Sequence, residues 1–558
     1  AALLAAMRAS DPEPPRSSTL VVRVGDRARV PEPELVTEDG AVIRLAGTLP
    51  PDLPAGYHRL RGQKGGGERR LIVSPGTAHL PPGLRGFGFA VQLYSLLSRG
   101  STGIGDLADL RELGRWARSD LGAAFLLLNP LHAALPGLPQ EASPYFPSSR
   151  RFLNPLYLRL AEVPGVEGLR DNERAALNAG ELIDRDRVYE VKMRALEAAW
   201  ERARGRAVGA MRRFRLERPG LHEYAVFCAL AEVHGRPWRQ WPEALRHPAS
   251  AAVARFARQR AVRVRFHEWL QLELDRQLRA AGQSAALVND LAVGVHPDGA
   301  DAWAWQDELA EGVSVGAPPD PFNAAGQDWG LPPFDPWRLR AAGYEPFVQT
   351  LRAAFRHAAG IRVDHVMGLF RLYWIPVGGG SAAGAYIRYP ASDLLDILAL
   401  ESALAGAYVV GEDLGTVEDA VRDELRRRQV LSYKLLWFER DPPAAFPEAA
   451  LAALTTHDLP TLFGVWGGGD PMPDVRARLQ GLPGAEADVL VAAYRSLATG
   501  PSRLLAATLE DITGTERRPN QPGTTDEHPN WSRRLPLSLE ELVRDPRPRR
   551  VAQALSRP

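Results

Sequence analysis

The hydrophobic pattern changes period three times along the chain. From 18 to 73, apolar and polar residues alternate, as at Leu20, Val22 and Val24, with breaks at Pro50-Pro51, 54–56 and Gly65-Gly66-Gly67. Period-two alternation cut by turn residues predicts short, half-exposed strands, here a small N-terminal β-sandwich domain over 1–80. A Pro- and Gly-rich linker follows at 75–85. Beyond it, 86–92 reads as a strand, Leu107, Leu110, Leu113 and Ala117 recur at helical spacing, and 125–128 reads as a second strand. Strand, helix and strand in that order is a βαβ unit of a parallel sheet.

Between 163 and 280 the period becomes helical, with Arg and Glu interleaved among Ala and Leu and with breaks at Pro237 and Pro242. This predicts a mainly helical insertion, whose mixed charges form a solvated face and which fits a cleft wall or an interface. Strand-like runs then resume at 285–290, 360–363, 409–411, 433–437, 452–458 and 503–508. With the first two they make eight. The expectation is an α/β protein, a (β/α)8 TIM barrel over 86–558 interrupted by the helical insertion.

Three of these runs end in carboxylates: Asp364, Glu412 and Asp458. In a TIM barrel the chemistry sits where the strands stop, so the three converge on one mouth. Arg362 and Asp364 are two apart and point to the same side of a strand, where a guanidinium holds Asp364 ionised. Glu412 follows Val409, Val410 and Gly411, surroundings that disfavour charge and favour a retained proton. One carboxylate kept charged and another kept protonated is what glycoside cleavage needs, the first as nucleophile and the second as acid. His365 and His457 flank the acids without a His or Cys partner at ligand spacing, so contacts to sugar hydroxyls are expected of them rather than zinc. Tyr145 lies in a long connection after the second strand, where its ring can either stack on a sugar or simply pack.

Composition narrows the classes. With 558 residues, 45% hydrophobic and 24% charged, the chain is globular and long enough for a barrel with attachments. Its 68 basic and 67 acidic residues leave a net charge of +1, no field for nucleic acid or an anionic membrane, and a neutral substrate fits better. The single cysteine, Cys228, allows no intramolecular disulfide and no Cys-based metal site, and its apolar neighbours predict a buried thiol. No apolar run approaches the roughly 18 residues of a membrane span. The short run at Ala1-Ala2-Leu3-Leu4-Ala5-Ala6 is too brief for a signal core, which makes the cytoplasm the expected location. The glycines at 378–380 and 467–469 lack a phosphate-loop context.

The ordered set Arg362-Val363-Asp364-His365, Gly411-Glu412-Asp413-Leu414-Gly415 and Thr456-His457-Asp458 resembles the catalytic segments of the α-amylase clan, most closely the amylomaltases (4-α-glucanotransferases, glycoside hydrolase family 77). Gly316-Ala317-Pro318-Pro319-Asp320 with Gly326-Gln327-Asp328-Trp329-Gly330 is similar to that family's active-site loop, and Ser143-Pro144-Tyr145 to a substrate-facing one. Asn520 and Asn530-Trp531 resemble a late loop that reaches the sugar site. Pro321 stands where shorter members carry an aromatic residue, and Leu331 where Asn is common; the longer type, with an N-terminal extension, is more similar.

The resemblance implies a retaining 4-α-glucanotransferase acting on maltodextrins without metal or organic cofactor. It assigns Asp364, Glu412 and Asp458 to catalysis, and Arg362, His365, His457, Tyr145, Asp290, Gln327, Trp329 and Asn520 to substrate. An α-1,4-glucan hydrolase with the same carboxylates and a non-catalytic glucan-binding protein on an inherited barrel are the alternatives.

Overall fold

The computed structural model describes residues 19–62, 67–319, 325–415, 417–524 and 527–557. Pro321 and the N-terminal run at 1–6 lie outside them.

Eight parallel strands close into a barrel: Gly86–Val91, Phe125–Leu128, Leu287–Leu291, Gly360–Val363, Tyr408–Gly411, Leu431–Leu435, Ala450–Ala453 and Leu504–Thr508, referred to as strands one to eight. Strand eight pairs with strand one, completing the ring. Period-two alternation sorts the side chains. Phe125, Leu127, Val288, Tyr408, Val410, Leu431, Tyr433, Leu451 and Leu504 pack together in the interior, while Ile361, Val363 and Val409 face the surrounding helices. Strand one approaches strand two so closely that a Cβ on Gly88 would lie 2.3 Å from the Phe125 carbonyl oxygen.

The helical region after strand two comprises Asp171–Asn178, Arg185–Glu217, Leu221–His234, Ala251–Gln259 and Ala261–Ser284. The last of these packs along helix Leu107–Leu121, where Gly114 leaves room for Ser284 and Ala285, and runs directly into strand three. Cys228 is buried among the apolar residues of Leu221–His234, and burial pushes its thiol up to about 12.

At the barrel mouth, Val313–Ala317, Gln327–Leu331, Arg371–Pro376 and Ala385–Arg388 form a four-stranded antiparallel sheet. The segment expected as an active-site loop is therefore flanked by paired strands, with a bulge between Val315 and Gly316.

The N-terminal strands pair edge to edge in one five-stranded sheet. Loop residues Val30, Leu49 and Leu53 cover its apolar face beside Leu35, Leu60 and Leu71, the place a second sheet of a sandwich would take. This sheet docks on the barrel helices Glu345–Phe355 and Ala391–Ala405. Tyr57 lies between the guanidinium groups of Arg70 and Arg352, 4.8 and 4.9 Å from its ring centre, and donates its hydroxyl to Glu401. Arg70 also pairs with Glu345 at 2.6 Å. Among the described residues, no helix is long and apolar enough to cross a membrane.

Candidate active site

The register of strands four and five sets the centre of the site. Val363 lies opposite Gly411, so Asp364 and Glu412 emerge abreast from neighbouring strands. The Asp364 amide donates to the Leu291 carbonyl (3.1 Å), and the Glu412 amide to that of Val363 (3.0 Å). Arg362 sits level with Asp290 of strand three, both inside the barrel and both buried. Its Nη1 reaches both Asp290 oxygens at 2.7 and 2.9 Å, and its Nη2 reaches Asp364 Oδ1 at 2.9 Å. The guanidinium lies over the Tyr433 ring at 5.4 Å. Tyr145 closes the group by donating its hydroxyl to Asp290 at 2.5 Å.

Glu412 accepts from the His365 amide at 2.9 Å and from the Leu414 amide at 2.8 Å. Burial pushes its carboxyl up to about 7; the charge of Asp364 adds to the rise, while Arg362 and the two amides oppose it. His365 has the left-handed φ of 47°, unusual for a residue with a side chain, and this turn aims its amide at Glu412. Its ring meets Trp329 edge-on at 5.4 Å, and burial lowers its pKa, which favours the neutral imidazole.

Asp458 differs from the expected strand end, because strand seven stops at Ala453. The carbonyl of Pro460 accepts from Thr455 Oγ1 and Trp437 Nε1, both at 2.9 Å, and folds the following residues into a turn. This turn still carries Asp458 into the mouth. Asn520 Nδ2 donates to its Oδ1 at 2.7 Å, and His457 Nε2 lies 3.4 Å from Oδ2. Burial opposes ionisation of Asp458, but His457 and Asn520 outweigh it and lower the carboxyl; reciprocally, Asp458 outweighs burial at His457 and raises the imidazole.

Tyr145, Gln327, Trp329, Asp364, His365, Glu412, His457, Asp458 and Asn520 line one cleft of about 620 Å³, within the size range of ligand sites. Arg362 and Asp290 lie behind this wall and brace it. Gln327 and Trp329 are linked by a 3.0 Å hydrogen bond from the indole nitrogen to the amide oxygen. Leu331 is buried at the cleft edge.

Trp531, expected there with Asn530 as part of a late loop, lines the cleft, and Phe146 and Glu141 line it without having been sequence candidates. Trp531 packs on Tyr145 and His457 at 5.3 and 5.1 Å, making a three-ring cluster, and has a left-handed φ of 60°. Phe146 stacks on His296 at 4.4 Å, and Glu141 lies two residues before Ser143. Adjacency to Ser143-Pro144-Tyr145 is the signal that points to Phe146 and Glu141. Among the described residues, no cluster of three His, Cys, Asp or Glu is placed to hold a metal.

The glycoside hydrolase family 77 profile, described as 4-alpha-glucanotransferase, matches residues 91–539. A 4-alpha-glucanotransferase of Mycobacterium tuberculosis is 44% identical, covering 91% of this chain and 80% of the relative. One from Haemophilus influenzae is 34% identical, covering 88% and 82%. The crystal structure of amylomaltase from Corynebacterium glutamicum superimposes with a TM-score of 0.85 at 33% identity, covering all of this chain and 92% of that one. With a profile that spans most of the barrel and relatives similar across most of their length, the chain belongs to glycoside hydrolase family 77, the 4-alpha-glucanotransferases.

Proposed function

We propose that this enzyme transfers α-1,4-glucan segments between maltodextrins by double displacement, with Asp364 as nucleophile and Glu412 as acid and base. The observation that carries the assignment is the abreast pair itself. Asp364 pairs with the Arg362 guanidinium at 2.9 Å, while burial favours the protonated form of its neighbour Glu412. Adjacent strands lie about 4.8 Å apart. In retaining enzymes the two carboxyl groups lie roughly 5 Å apart, and side chains that leave neighbouring strands abreast can reach that spacing.

In the first step an Asp364 oxygen attacks the anomeric carbon. The bond to the departing oxygen breaks, and that oxygen takes the Glu412 proton. In the second, the 4-hydroxyl of an acceptor sugar attacks the same carbon and gives its proton to Glu412 as the bond to Asp364 breaks. The two carboxylates account for every bond change, so the scheme asks for no cofactor.

Asp458, His457 and Asn520 form a connected set suited to holding donor hydroxyls as the ring flattens, an interaction that strengthens toward the transition state. Gln327 and Trp329 line the same cleft beside His365, where an acceptor can displace water. Arg362 and Asp290 orient Asp364 and Tyr145. We assign 1–80 to an N-terminal β domain that braces the barrel and 86–558 to the catalytic unit, with the insertion at 163–280. We further infer a cytoplasmic enzyme on uncharged glucans, in keeping with the net charge of +1.

Mass spectrometry of protein quenched during turnover of maltotriose, followed by proteolysis, tests the assignment. The expected result is a glucosyl adduct on the peptide containing Asp364, absent from Asp364→Asn, which still binds oligosaccharide. An adduct on another peptide, or turnover by Asp364→Asn, would overturn it.

A further inference from the structure

The segment that brings Asn520 and Trp531 to the cleft is tied to the helical region by two arginines running in opposite directions. Arg534 reaches from this segment to the carbonyls of Leu177 (2.6 Å), Gly180 (2.9 Å), Gly103 (3.1 Å) and Ala179. Arg185, the first residue of helix Arg185–Glu217, donates in return to the Trp531 carbonyl and to Ser532 Oγ at 3.2 Å. Between them the backbones pair: Ile183 donates to Ser532 at 2.8 Å and Arg534 to Glu181 at 2.9 Å, with Leu182 opposite Arg533.

Arg185 is 8% exposed, lies over the Tyr94 ring at 5.2 Å, and makes no ion pair among the described residues. Burying a guanidinium without a carboxylate in contact is costly, so its retained contacts point to a geometric task. The group it holds is the carbonyl of Trp531, a bulky residue with a left-handed φ of 60°, a conformation that persists only when its surroundings enforce it. The ring so fixed is the one packed against Tyr145 and His457 in the cleft.

We propose that Arg185 is a positioning residue for the reaction, acting through Trp531 to hold the aromatic wall on which a substrate glucosyl ring is seated. This gives the helical region a role in the chemistry, and it rests on the glucan reading of the cleft.

The test compares KM and kcat for maltotriose, with thermal unfolding, in wild type, Arg185→Met, Arg185→Lys, Trp531→Ala and the Arg185→Met/Trp531→Ala double variant. A hydrogen bond from a charged donor is worth enough that Arg185→Met is expected to raise KM about tenfold. Arg185→Lys, which keeps one donor for the carbonyl, is expected to raise it about threefold. Because Arg185 acts through Trp531, the double variant should match Trp531→Ala to within about twofold. Should Arg185→Met not fold, Arg185→Lys carries the comparison. An unchanged KM in the folded variants, even with a lowered Tm, or effects that multiply in the double variant, would overturn the role. Wild type that fails to disproportionate maltotriose would defeat the glucan reading; wild type that succeeds while Arg185 variants keep its KM defeats only this inference.

Discussion

Replacing Glu412 by Gln keeps the size of the side chain and removes the acid. A carboxyl of ordinary acidity, near 4.5, would hold a proton in only about 0.3% of molecules at pH 7, whereas one at about 7 holds it in roughly half. Burial thus enlarges the acid form more than a hundredfold at neutral pH. The sign follows directly: the raised value keeps the acid form present up to pH about 7, and it is lost above. The same shift makes the Glu412 contribution to folding stability complete below about 4.5 and lost as pH rises through 7. For wild type, kcat/KM on maltotriose should therefore fall along an alkaline limb centred near pH 7. Glu412→Gln should lose on the order of 10³-fold in kcat on maltotriose. On α-maltosyl fluoride, whose fluoride leaves without a proton, the first step should survive and the maltosyl-enzyme accumulate. An alkaline limb absent up to pH 9, or equal losses on both substrates, would refute the reasoning.

Three further outcomes follow from the packing. Tyr57→Phe should lower stability by about 1.5 kcal/mol in chemical denaturation, through loss of the bond to Glu401, with transfer unchanged; slower transfer at intact stability would instead give the N-terminal sheet a part in substrate handling. Gly88→Ala places a Cβ 2.3 Å from a backbone oxygen across the barrel seam, so a loss of about 3 kcal/mol is expected, and a Tm equal to wild type would contradict the described strand spacing. Arg362→Lys retains the charge but not the fork that serves Asp290 and Asp364 together, so kcat/KM should drop roughly 10- to 100-fold; wild-type kinetics would show that charge alone suffices.

The barrel was legible because its strands are short, apolar and separated by helical spacing, and because closure at eight leaves no free edge. The carboxylates at Asp364 and Glu412 were legible for the same reason, each following its strand by one residue. Asp458 was placed correctly at the mouth but on the wrong local structure, since a carbonyl taken by Thr455 and Trp437 side chains leaves no mark on hydrophobic periodicity. Trp531 was legible only through its resemblance to a late loop, and Phe146 not at all, because both belong to irregular segments where no period announces which face a ring presents. Contacts such as Arg185 to Trp531 join residues 346 apart in the chain, and such pairing follows from the fold alone.

The most direct measurement is product analysis after incubation with maltotriose, with chromatography of the oligosaccharides beside an assay of reducing ends. Glucose together with a ladder of shorter and longer maltodextrins is expected while the number of reducing ends stays constant, because each bond broken is remade on another sugar. Reducing ends that climb with time would make water the acceptor and contradict that expectation.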